Sequence, residues 1–71
     1  MNGYNSYETW NVSLWMFNEE PYYRLAQQSK DYATWVSRMG YIYGMEATPD
    51  GVRFDSPEID TLTLDEEVEE A

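Results

Sequence analysis

Apolar and polar positions along the chain fall into three helical patterns, followed by a segment that holds no single period for long. In the first, Tyr7, Trp10, Leu14 and Phe17 recur at spacings of three and four and share one face, the expected core face. Val12, Trp15 and Met16 lie on the other side, so this helix is apolar nearly all round, as helices are when buried or at an interface. Asn5 is the expected cap, with Glu8 three residues on as its capping-box partner. The first helix is expected over 6–17, with residues 1–4 frayed. Asn18-Glu19-Glu20-Pro21 reads as a break and a restart, since Asn18 can cap, acids suit a helix N-terminus and Pro is tolerated in the first turn. A second helix is expected over 19–28. Ser29-Lys30-Asp31 offers another cap, and Tyr32, Trp35, Val36, Met39 and Tyr43 give the clearest amphipathic stripe. This third helix starts near 30 and ends between 39 and 45, where Gly40 and Gly44 each suit a left-handed C-cap.

Beyond it the periodicity divides. Tyr41, Tyr43 and Met45 also alternate as in a strand, Thr48-Pro49-Asp50-Gly51 carries turn chemistry, and Val52-Arg53-Phe54 suits a returning strand. Helix then loop is the preferred reading of 41–55, with a small hairpin as the alternative; Pro49 keeps any helix from running through. Ser56-Pro57-Glu58 resembles a short helical start, and Thr63 with Glu66 a second capping box. Like charges four apart, Asp65 with Glu69 and Glu66 with Glu70, oppose helix there, so the last helix is expected to be short and marginal, docked by Leu62, Leu64 and Val68. The expected fold is all-α: a small three-helix domain over 1–46 with an acidic loop and C-terminal extension over 47–71. Eleven of the 12 aromatics precede residue 47, so removing residues 62–71 is expected to leave a folded domain.

Composition narrows the chemistry. Without Cys or His, disulfides, thiolate metal sites and the usual zinc ligands and general base are excluded. No catalytic residue, cofactor or metal is expected. Ser13, Ser37 and Ser56 have no His partner; Glu19 and Glu20, adjacent on a helix, point about 100° apart and cannot converge on one substrate. Asp50, Asp55, Glu58 and Asp60 do not follow the alternating-oxygen spacing of a calcium loop. No apolar run approaches a membrane span, and the N-terminus has no basic region leading into an apolar stretch; the cytoplasm is the expected location. At 71 residues a single core is marginal, which leaves a homodimer open.

Charge is unevenly placed. Residues 1–46 hold five acids against three bases, a net of −2, and residues 47–71 hold nine against one, a net of −8. Direct binding to nucleic acid is disfavoured, because phosphate contacts need clustered Lys and Arg. An anionic membrane surface would also repel the chain.

The run Asn5-Ser6-Tyr7-Glu8-Thr9-Trp10-Asn11-Val12-Ser13-Leu14-Trp15, with Asn18-Glu19 and Tyr22-Tyr23-Arg24-Leu25-Ala26, resembles a family of small proteins of bacteriophages and some bacterial genomes. That family opens with a Tyr-Glu-Thr-Trp-Asn-Val-x-Leu-Trp signature. Thr48-Pro49-Asp50-Gly51-Val52, then Pro57 and Asp60, is similar to its loop before a closing helix. The resemblance implies a phage origin and action inside an infected cell, and no catalytic residues.

Two regions are candidate partner-binding sites. Trp10 and Trp15 are either both core, or Trp15 with Met16, off the expected core face, forms a contact surface, as exposed Trp commonly does. The acidic stretch 55–70, with Asp65, Glu66, Glu67, Glu69 and Glu70 as its expected contact residues, is a solubilising tail, a dock for a basic surface of a host protein, or an intramolecular partner of Arg24, Lys30 or Arg38. In the sharpest version of docking it imitates the phosphate charge of DNA. The expected function is a non-enzymatic modulator that inhibits a host protein, with a nucleic-acid-handling or defence enzyme as the specific case. The alternative is an assembly protein that self-associates through its aromatic surface.

Overall fold

The computed structural model describes residues 3–71, and among them it is all-helical. Helix α1 spans Tyr7–Asn18. Its N-cap is Ser6, whose hydroxyl accepts from the Thr9 N–H at 3.0 Å. Asn5, the expected cap, sits one residue early and instead donates from Nδ2 to Asp60 Oδ2 at 2.6 Å. Asn18 closes α1 from behind, donating to the Leu14 carbonyl at 2.7 Å, and so is not the cap of the next helix. That helix, α2 (Glu20–Gln27), starts on Glu19 without a side-chain cap and carries Pro21 in its first turn. Helix α3 (Tyr32–Tyr43) is capped by Asp31, which accepts from the Thr34 N–H at 2.8 Å. It ends on Gly44 at φ +64°, with Met45 N–H bonded to the Met39 carbonyl, the six-to-one bond of a glycine-terminated helix.

Residues 44–60 form a loop that doubles back on itself. Ala47 and Arg53 make one antiparallel bridge, and Thr48 N–H donates to the Val52 carbonyl at 2.8 Å. Between them Thr48-Pro49-Asp50-Gly51 turns tightly with Gly51 at φ +91°, a conformation that a Cβ would strain. Helix-then-loop thus describes 41–55, with a single bridge where a hairpin was the alternative. Ser56-Pro57-Glu58 is a turn and not a helical start. Helix α4 (Thr61–Glu70) begins on Asp60, which accepts from both the Thr63 N–H and its hydroxyl; Thr63 therefore lies inside the helix and not at its cap.

One core joins all four helices and the loop. Val12 and Met16 of α1, Leu25 and Ala26 of α2, and Tyr32, Trp35 and Met39 of α3 meet Val52, Phe54 and Ile59 of the loop and Leu64 and Val68 of α4. Trp35 is its centre: its ring lies 5.9 Å from Tyr32 and 5.1 Å from Phe54, and its indole N–H donates to the Tyr22 carbonyl at 3.0 Å. The division at residues 46 and 47 is therefore one of composition; packing crosses it. Leu64 and Val68 anchor α4, while Leu62 points to solvent.

The face of α1 that enters this core is not the aromatic one. Tyr7, Leu14 and Phe17 are 46, 36 and 38% exposed, whereas Val12, Met16, Thr9 and Asn11 are fully buried. A helix apolar nearly all round has no strong directional preference, so specific polar bonds decide its rotation. Buried Thr9, Asn11 and Ser13 supply those bonds.

Candidate functional site

Each buried polar residue of α1 holds a distant segment. The Thr9 hydroxyl accepts from the Asp60 N–H at 2.8 Å, and Ser6 donates to the Glu58 carbonyl at 2.7 Å, fixing the approach to α4. Asn11 accepts from the Thr48 hydroxyl at 2.7 Å and donates to Asp50 at 2.8 Å. Trp15 donates from its indole N–H to the same Asp50 oxygen. These bonds, Asn11 first and Trp15 second, hold the Asp50 carboxyl below its ordinary pKa. The signature run of α1 and the Thr48-Pro49-Asp50-Gly51 turn are thus two halves of one hydrogen-bonded joint.

Ser13 makes the third link. It donates to one oxygen of Glu67 at 2.5 Å while Tyr4 donates to the other at 2.6 Å; the two hydroxyls lie 2.9 Å apart. Each hydroxyl has one proton, so both are spent on the carboxylate. Burial, then the bond to Glu67, raises the Tyr4 hydroxyl above its ordinary pKa. Tyr4, expected to fray, is instead clasped to α4; Met1 and Asn2, on which the same expectation fell, lie outside the described residues.

The expected contact residues separate accordingly. Met16 is fully buried and offers no surface. Trp15 is half-buried with its polar end committed to Asp50. Asp65 accepts from the Tyr32 N–H at 2.9 Å at the start of α3, and Glu67 is held by Tyr4 and Ser13. Glu66, Glu69 and Glu70 remain exposed. Their spacing of three and four puts them on one side of α4. Among the described residues the two ion pairs are Arg24 with Glu20 and Arg53 with Asp55, both on the surface and neither involving α4.

With Val12, Met16 and the polar residues that flank them turned in, α1 presents its aromatic face outward beside α4. Trp10, Leu14 and Phe17 floor an open groove of about 500 Å³, with Tyr4 at one side and Glu67 and Glu70 on the α4 rim. The aromatic periodicity identified these residues but assigned them to the core. What reverses the assignment is the burial of Thr9, Asn11 and Ser13 against Asp60, Thr48 and Glu67.

No helix of the described residues is long and apolar enough to cross a membrane. No curated protein and no solved structure matches the chain. A model of a family of unknown function, DUF7249, matches residues 1–71, and the chain belongs to that family.

Proposed function

We propose that the protein is a non-enzymatic binding module that docks on a basic surface of another protein and modulates it, inhibition being the specific form. The observation that carries this reading is the α1/α4 groove, an aromatic floor beside carboxylates that have no cationic partner among the described residues. Apolar contact supplies a desolvated anchor, and charge selects a basic partner and speeds encounter. The exposed acids of α4 occupy about one helical turn, Glu66 to Glu70, roughly 6 Å of axis. That favours a compact basic patch over a long phosphate-like track. The resemblance to phage proteins supports a phage-encoded modulator acting in the cytoplasm of a host cell.

Affinity capture from host lysate with the parent chain, Leu14→Asp and Glu66/Glu69/Glu70→Gln tests the reading. A protein retained by the parent and lost by both variants supports it. Equal retention by all three overturns it. Sedimentation that shows a dimer broken by Leu14→Asp would favour the assembly reading instead.

A further inference from the structure

Resting on that reading, we infer that the groove takes an arginine-bearing amphipathic helix of the partner. Trp10, Leu14 and Phe17 stand at i, i+4 and i+7 of α1 and so extend over roughly 10 Å, two helical turns. An occupant that matches them presents apolar side chains at the same spacing.

The polar groups of the groove decide the backbone of the occupant. The Tyr4 and Ser13 hydroxyl protons are given to Glu67, and one N–H of the Asn18 amide to the Leu14 carbonyl. The polar groups that remain, on Trp10, Asn18 and Glu70, are scattered and form no ladder for an extended chain, and no strand among the described residues offers an edge. A segment bound in extended form would leave its N–H and C=O groups unsatisfied; a helix satisfies its own.

Charge decides the side chain. Glu67 is fixed by its two donors and Glu70 is exposed one turn further on, so two carboxylates face the aromatic floor with no basic residue lining it. An anionic occupant is repelled. A second copy is disfavoured as well, since each chain has a net charge of −10 and two of its four cations are already paired. A guanidinium suits the site better than an ammonium, because its planar fork stacks on an indole while pairing with a carboxylate.

The test is a heteronuclear NMR titration of the full chain with a synthetic helix-forming peptide carrying Leu at i, i+4 and i+7 and Arg at i+3 and i+10. Versions with Lys or Glu for Arg, and one of scrambled order, are compared. The Arg peptide is expected to move the Trp10 indole and Leu14 methyl signals. Its affinity should fall with salt and weaken about three- to tenfold with Lys. The Glu and scrambled versions should not bind. Leu14→Asp should lose binding and Glu70→Gln weaken it, whereas Tyr41→Ser, on the exposed end of α3, should bind as the parent does; circular dichroism checks that each variant is folded. Equal binding of the scrambled or Glu peptide, shifts centred on Tyr41 and Ile42, or no binding of the Arg peptide overturns the assignment. If the peptide fails while capture from lysate still depends on Leu14, the binding module stands and only its arginine helix is wrong.

Discussion

The Trp15 indole N–H donates to the Asp50 carboxylate at 2.8 Å across 35 positions of chain, and Asn11 reaches the same oxygen at the same distance. Asn11 is fully buried and bridges Asp50 to Thr48. Asn11→Ala strands the Thr48 hydroxyl and halves the donors on Asp50. It should destabilise the protein by roughly 1–3 kcal/mol in urea denaturation. Asp50→Asn should also destabilise, and should change Trp15 fluorescence in the native state.

Acid should act through the aspartates. Asp50, Asp31 and Asp60 each have a lowered pKa, from Asn11, from the Thr34 hydroxyl and from the Thr63 hydroxyl respectively as the leading cause. A carboxyl with a depressed native pKa contributes stability above its unfolded value, about 3.9, and loses it as pH falls through the native value. Thermal melts should therefore show these contributions disappearing below about pH 4. A triple Asn variant at these positions should have a flatter profile there.

Alkali should act through Tyr32. Its hydroxyl is buried, donates to the Phe54 carbonyl at 2.7 Å, and is pushed well above its ordinary pKa, first by burial and then by Asp55. The raised pKa contributes stability that is full below about pH 10 and is lost as pH rises toward the native value. Tyr32 should ionise only as the protein unfolds. Tyrosinate absorbance followed alongside circular dichroism should show one group titrating with the loss of helix, and Tyr32→Phe should remove that group.

The rotation of α1 makes a paired prediction. Met16→Ala should cost about 2–5 kcal/mol, as a buried large-to-small change does. Leu14→Ala, at the groove, should stay within about 0.5 kcal/mol of the parent. Trp35→Ala, at the centre of the core, should cost roughly 3–5 kcal/mol. Chemical denaturation of the three variants checks the order; a Leu14 variant less stable than the Met16 variant would return the aromatic face to the core.

Removal of residues 62–71 should abolish cooperative unfolding, because it takes Leu64 and Val68 out of the core and Glu67 from Tyr4 and Ser13. Aromatic count suggests the opposite, since only Phe54 among the aromatics follows residue 46. Circular dichroism and amide exchange on the shortened chain decide between them.

Local chemistry made most of the fold legible. Asp31 as a cap, Gly44 as a stop and the Tyr32-Trp35-Met39 stripe each act within a few residues of themselves, so their pattern is complete in the sequence. The facing of α1 is not of that kind. Thr9, Asn11 and Ser13 are buried only because Asp60, Thr48 and Glu67 arrive to meet them, and partners 37 to 54 positions away leave no trace in a window of one helix. The same holds for the candidate site: its aromatics and acids were both visible, but which aromatics lie beside which acids follows from that rotation.

The bonds from Tyr4 and Ser13 to Glu67, 63 and 54 positions apart, also bear on how the chain assembles. Small helical bundles fold fast because most of their contacts are between near neighbours. Here the bonds that set the orientation of the first helix are made in part with the last one. Until α4 is in place, Thr9, Ser13 and the aromatic face of α1 all stand in water. Refolding followed by stopped-flow circular dichroism is accordingly expected to be slower than the helix content suggests and to depend on α4.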